Sequence, residues 1–283
     1  MSWLINAGQV DKFRKNQKNL VILDASYHHA ENERNAKQEF AEKHIVDAQF
    51  FDIDFFSDPN AELPHTLITD EKIISEKMSS LGIRNDMKII IYDNSDLHSA
   101  ARALWMFKVF GHDPQLLYIL DGGFKAWELY DGKTESGLSS SSSKTYTARL
   151  QPQYLRTLDQ VKENYHHPKE QILDARHPIR YAGGHIPGSI CFPYFTMYEK
   201  DGLLKPLEKI RKQMLDVAID LKSPIIASCG SGITAATLDL VLDLMGHAPH
   251  ALYDGSWSEW GNPKLYPGET SLDERPVETC VDG

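Results

Sequence analysis

Long apolar runs are missing from this 283-residue chain: nothing in it approaches the roughly 18 to 20 consecutive apolar residues of a membrane-spanning helix. The first residues, Met1-Ser2-Trp3-Leu4-Ile5-Asn6, lack the basic region and apolar core of a secretory signal, so a cytoplasmic address is expected. Cysteine is scarce. Cys191, Cys229 and Cys280 are an odd number without Cys-x-x-Cys spacing, which speaks against a disulfide framework and a zinc site, and neither a metal nor a cofactor is expected. A basic stripe is absent as well. Net charge is −10, with Lys and Arg scattered among acidic residues, which argues against nucleic-acid binding and leaves solubility as the role of the charge.

With 41% hydrophobic and 25% charged residues the chain is globular, and its length favours two domains. An internal repeat supports that division. Val21-Ile22-Leu23-Asp24-Ala25 recurs as Gln171-Ile172-Leu173-Asp174-Ala175, and Lys43-His44-Ile45 as Gly184-His185-Ile186. Lys88-Ile89-Ile90-Ile91 answers Pro224-Ile225-Ile226-Ala227, and Gly111-His112 answers Gly246-His247. Leu120-Asp121-Gly122-Gly123 with Trp127 answers Tyr253-Asp254-Gly255-Ser256 with Trp260. The offset drifts from 174 − 24 = 150 to 260 − 127 = 133, as in a duplicated domain whose loops have changed length. The expected outline is one domain over 1–135, a Ser-rich flexible linker over 136–150, and a second domain over 151–283.

Within each half, aliphatic runs read as buried strands: Val21 to Leu23, Lys88 to Tyr92 and Leu116 to Leu120, then Ile172 to Leu173, Pro224 to Ser228 and Ala251 to Tyr253. Helical patterns separate them. From Thr234 to Met245, Leu238, Val241, Leu242 and Met245 mark one apolar face, which Gly246 can end. The alternation predicts an α/β fold with a mainly parallel sheet in each half.

Chemistry concentrates in Ser228-Cys229-Gly230-Ser231-Gly232-Ile233-Thr234-Ala235, where an apolar strand ends at a cysteine, a Gly-x-Gly turn follows and a helix begins. Ligands of open α/β sheets bind at the carboxyl ends of strands. Gly230 and Gly232 are expected to let the backbone curl so that N–H groups point inward, with the positive end of the helix behind them. An anion carried on Cys229 would sit in that cradle, and the same field favours thiolate over thiol. A lone cysteine closing a strand is usually a small core residue, but a core cysteine has no use for a glycine loop. Cys191, in an apolar run, reads as packing, and Cys280 as exposed.

The Cys229-Gly230-Ser231-Gly232-Ile233-Thr234-Ala235 loop, the repeated Leu-Asp-Ala and His-Ile segments, His185-Ile186-Pro187-Gly188 and Tyr253-Asp254-Gly255-Ser256-Trp257 resemble the tandem rhodanese family, in particular its 3-mercaptopyruvate sulfurtransferase branch. That resemblance implies two rhodanese-like folds, a first domain without catalytic activity, and sulfur carried as a persulfide on Cys229. Opposite Cys229 the first half offers Asp93 or Asn94, neither of which holds a persulfide. An uncharged loop suits a monoanionic donor better than thiosulfate. By the same resemblance Ser231 works with His65 and Asp54 of the first domain to move protons, so that the site lies between the repeats. Arg180 grips the donor carboxylate, with Gly230, Gly232, Ile233 and Thr234 around the donor, whereas Arg176 forms a structural pair. A longer segment before His-Ile-Pro-Gly brings a second arginine in most relatives, and Tyr181 to His185 is too short to contain it. The implied partners are a small sulfur donor and a thiol acceptor such as thioredoxin or glutathione, or cyanide. A related phosphatase loop needs an arginine six positions after its cysteine, where this chain has Ala235, and a non-catalytic binding module has no use for an intact cysteine loop.

Overall fold

The computed structural model describes residues 3–17, 19–29, 31–138, 142–262 and 275–280. The chain forms two compact units, and each includes a piece of the other repeat. The first comprises Met1–Ser57, Ile68–Gln151 and Tyr198–Leu204, and the second Asp58–Leu67, Pro152–Met197 and Lys205–Gly283.

In the first unit the strands are β1 (Leu4–Ile5), β2 (Leu20–Asp24), β3 (His44–Ile45), β4 (Ala48–Phe50), β5 (Lys88–Tyr92), β6 (Leu117–Leu120) and β7 (Thr134–Glu135). The helices are α1 (Ala7–Asn16), α2 (Ala36–Glu42), α3 (Glu71–Ser80), α4 (Ala100–Val109) and α5 (Gly123–Leu129). A parallel sheet runs β1-β6-β5-β2-β4, and β3 pairs antiparallel with β7. Side chains of a strand alternate between faces, so Lys88-Ile89-Ile90-Ile91-Tyr92 must be covered on both. Ile90 and Tyr92 join Ile22 and Leu120 in a core with Val10 of α1, Phe40 of α2 and Trp127 of α5, and α4 packs against β5 and β6.

The second unit repeats the plan with β8 (Leu155–Arg156), β9 (Gln171–Asp174), β10 (Ile190–Cys191), β11 (Ile225–Ser228) and β12 (His250–Tyr253), and with α6 (Leu158–His166), α7 (Pro178–Ala182), α8 (Leu207–Asp216), α9 (Ala235–Leu244) and α10 (Ser256–Trp260). Its parallel sheet runs β10-β9-β11-β12-β8. Leu158 and Val161 of α6, Ile172, Ile226 and Tyr253 of the strands and Trp260 of α10 share a core, while α9 packs on β11 and β12. Gly246, in the left-handed region at φ +68, ends that helix as its sequence predicts, with its N–H donated to Asp243 O.

All six expected runs form strands, except that Leu116 belongs to the 3-10 turn Pro114–Leu116 and Pro224 precedes its strand. The duplication extends to details. Capping boxes open α1 (Asn6 with Gln9) and α6 (Thr157 with Gln160), and His44 stacks on Phe40 as His185 does on Tyr181.

Of the Ser-rich linker, residues 139–141 lie outside the described residues. The chain after them is bound rather than loose. Lys144 N–H donates to Ser79 O, Tyr146 N–H to Ser79 Oγ, Ala148 N–H to Ser75 Oγ and Leu150 N–H to Glu71 Oε1, at 2.8 to 3.0 Å. Four helical residues rise about 6 Å and two extended residues about 6.7 Å, so acceptors at Glu71, Ser75 and Ser79 match alternate residues of an extended chain. Tyr146 and Ala148 are buried by the contact. Ser75→Ala leaves the buried Ala148 N–H without its acceptor, and should lower the unfolding free energy of the first unit by about 1 to 3 kcal/mol. Urea unfolding with amide exchange at Ala148 measures it, and an unchanged midpoint would show the arm to be held by apolar burial alone.

Candidate active site

Cys229 follows β11 at the carboxyl end of the sheet and is 1% exposed. Its Sγ accepts the N–H of Gly232 at 3.1 Å. Gly232 has φ +80, so the turn that aims this amide at the sulfur requires its left-handed backbone. Gly230 has a different role: its backbone is not left-handed, and a Cβ there would meet open space. The loop is gripped from the turn after β12. Ser256 Oγ accepts the Cys229 N–H at 3.1 Å and donates to Tyr253 O, Trp257 N–H donates to Cys229 O at 3.0 Å, and both N–H and Oγ of Ser258 donate to Gly230 O. Ser256 itself has φ +49, a conformation costly for a residue with a side chain, which its two hydrogen bonds offset.

Ile233 and Thr234 are buried where the loop enters α9, and Ser231 is half-buried. His65 lies in the segment Asp58–Leu67 of the second unit, with φ +59. That segment is closed on itself by Asp58 N–H to Thr66 O and anchored by Leu67 N–H to Asp254 Oδ2, both at 2.8 Å. Cys229, Ser231 and His65 thus share one unit. Asp54 belongs to the first unit, in the 3-10 turn Ile53–Phe56. Arg180 is exposed on α7. Arg176 is buried, grips Asp174 through Nε and Nη2 at 2.7 to 3.0 Å, donates to Gly184 O and stacks on Trp257 at 4.6 Å, the structural pair its position predicts. Burial pushes the Cys191 thiol up to about 11, which leaves it unreactive at neutral pH. Cys280 is exposed.

The register settles which residue of the first repeat stands opposite Cys229. Asp24 pairs with Tyr92 as Asp174 pairs with Ser228, so the counterpart is Asp93. Its carboxylate fills the cradle: Oδ2 accepts Ala100 N–H at 2.7 Å, Oδ1 accepts Ser95 N–H at 3.2 Å, and Asp93 O accepts Phe124 N–H as Cys229 O accepts that of Trp257. The charge at the position of Arg180 is inverted too. Glu39 stands five residues before His44, as Arg180 does before His185, and Arg34 binds it through two hydrogen bonds that hold its carboxyl below the usual carboxylate range. A cavity of about 240 Å³ remains beside Asp93, lined by Arg34, His98, Lys125 and Lys200 among others. The inversion at Glu39 escaped sequence reading because nine more residues separate Asp24 from His44 than Asp174 from His185.

Residues 7–130 and 157–263 match the rhodanese-like domain family, and the chain belongs to that family. Its relatives are sulfurtransferases. The mitochondrial thiosulfate/3-mercaptopyruvate sulfurtransferase 1 of Arabidopsis thaliana is 38% identical over 283 residues, covering 89% of this chain and 74% of that protein. The 3-mercaptopyruvate sulfurtransferase of Mus musculus is 37% identical over 254 residues, covering 85% of this chain and 84% of that one. Among solved structures, the 3-mercaptopyruvate enzyme SseA of Escherichia coli superimposes with a TM-score of 0.84 at 33% identity, over 92% of this chain and 100% of its own.

Burial raises the Asp93 carboxyl to about 7 against two amide donors that pull it down. The folded state therefore holds this proton more tightly than the unfolded chain, so the stability it contributes is full below about pH 4 and is lost as pH rises through about 7. Relative to Asp93→Asn, which cannot titrate, the wild type should lose unfolding free energy across that window. A difference independent of pH would show that Asp93 stays ionised.

Proposed function

We propose that the protein takes sulfur from 3-mercaptopyruvate onto Cys229 and passes it to a thiol. The observation that carries this reading is the Gly232 N–H at 3.1 Å from Cys229 Sγ, at the head of α9, in the unit whose counterpart holds a carboxylate there instead. The Cys229 thiolate attacks the donor sulfur, the donor C–S bond breaks, and its electron pair passes to carbon as the enolate of pyruvate, which takes up a proton. The persulfide sulfur, carrying charge, occupies the amide cradle. An acceptor thiolate then attacks the outer sulfur and releases Cys229. Arg180 binds the donor carboxylate, Gly230 leaves room beside the sulfur, and Ile233 and Thr234 wall the loop. Ser231 and His65 move the donor's proton. Thioredoxin, glutathione or cyanide serves as acceptor, and a reducing compartment such as the cytoplasm suits three free cysteines.

One observation favours thiosulfate as a second donor. Between Arg180 and His185 the backbone closes directly, with Gly184 packed against Trp257 and His185 bridged to Glu278, so no second arginine follows there to hold a carboxylate.

Incubation with either donor should add one sulfur to the Cys229 peptide by mass spectrometry, and Cys229→Ser should abolish both the adduct and turnover, whereas Cys191→Ala and Cys280→Ala keep most activity. Turnover retained in Cys229→Ser would exclude the persulfide route. Proton handling by one placed group is worth about 100- to 10,000-fold, so His65→Ala and Ser231→Ala should each cut mercaptopyruvate turnover in that range. Thiosulfate has no thiol proton and its sulfite leaves without one, so the same variants should lose far less with it. Equal losses with both donors would reduce these residues to supports of the loop.

A further inference from the structure

Two residues beyond β12, Asp254 and Ser256, hold two different things. Ser256 and its neighbours grip the Cys229 loop, while the Asp254 carboxylate accepts the N–H of Leu67, two residues after His65. Leu67 is buried, so its N–H has no water to turn to, and the segment carrying His65 is short and closed on itself by the Asp58 to Thr66 hydrogen bond. Fixing Leu67 therefore fixes the segment. His65 sits there in a left-handed conformation that a free loop would relax.

We infer that Asp254 is a positioning residue for the sulfur-transfer reaction: it sets the register of the His65 segment against the Cys229 loop through the Leu67 N–H. The inference rests on the proton-moving role proposed for His65. A rigid turn of five residues then carries both halves of the chemistry, the nucleophile through backbone hydrogen bonds at Cys229 and Gly230, the histidine through a carboxylate. The first unit contains the same device without the chemistry. Asp121 Oδ1 accepts the N–H of Leu204 at 2.9 Å, and Leu204 closes the segment Tyr198–Leu204 in that unit. The bond is thus part of the duplicated architecture, and only in the second unit does the segment it holds carry a histidine placed to serve the reactive cysteine. That duplication supplies an internal control.

The experiment compares turnover with mercaptopyruvate and with thiosulfate in the full chain for Asp254→Ala, Asp254→Asn, Asp121→Ala and His65→Ala. A misplacement of about 1 Å costs on the order of 100-fold, so Asp254→Ala should lose roughly 10- to 100-fold with mercaptopyruvate and less than about threefold with thiosulfate. Thiosulfate turnover, with the sulfur adduct on Cys229, reports that the variant is folded and its loop intact. Asp254→Asn keeps a carbonyl oxygen for the Leu67 N–H and should recover most of the mercaptopyruvate rate, and Asp121→Ala should leave the donor ratio unchanged. If His65→Ala is donor-selective and Asp254→Ala costs both donors equally, or neither, Asp254 does not position the histidine and the inference is wrong. An Asp254→Asn variant no better than Asp254→Ala also overturns it, since charge and not the hydrogen bond would then matter. Loss of selectivity in His65→Ala itself removes the role of His65, and the inference falls with it.

Discussion

The first N–H groups of a helix have no partners within it, and where a helix starts directly at the end of a buried strand an acceptor has to be supplied from the loop. Both units place an acceptor at the same position, just ahead of the helix. In one the carboxylate of Asp93 accepts from Ser95 in the loop and from Ala100, the first residue of α4; in the other the sulfur of Cys229 accepts from Gly232, two residues before the cap Thr234 of α9. A carboxylate satisfies the helix permanently and leaves nothing to react. The sulfur takes one loop amide ahead of the positive end of the helix. At this position the two duplicated loops differ by an aspartate in one and a cysteine in the other.

The surrounding differences follow the same division. Where the second unit exposes Arg180, the first has Glu39 bound by Arg34, and where the second has Ser256 holding the Cys229 amide, the first has Gly123. A Cβ on Gly123 would come within 2.3 Å of Asp93 O, so the first unit has no room for the serine that the second uses. The two loops are alternative solutions to one packing problem, each consistent with its own neighbours.

Much of this was legible in the residues. Strands with both faces buried announce themselves as unbroken aliphatic runs, and Cys229 with Gly232 is readable because only a turn of unusual backbone needs that glycine. The edge strands β1, β8 and β10, two residues each, carry no period to detect. Asp93 and Asn94 were indistinguishable until the pairing of Asp24 with Tyr92 fixed the register. The Ser-rich composition pointed to a flexible connector, because the matching spacing of Glu71, Ser75 and Ser79 on α3 is a property of two segments together and not of either one. For the same reason nothing local marks residues 58–67 and 198–204 as belonging to the opposite unit.

That exchange bears on how the chain is made. A ribosome adds residues in order, and domains generally fold as they emerge, the amino-terminal one first. Here the amino-terminal unit lacks its last segment until Leu204 has been synthesised, by which point α6, β9 and α7 of the next unit already exist. Until then the Asp121 carboxylate lacks the Leu204 N–H that it accepts in the finished fold. The nascent protein therefore passes through a stage in which a sheet already complete at Leu120 waits for a short segment made some eighty residues later.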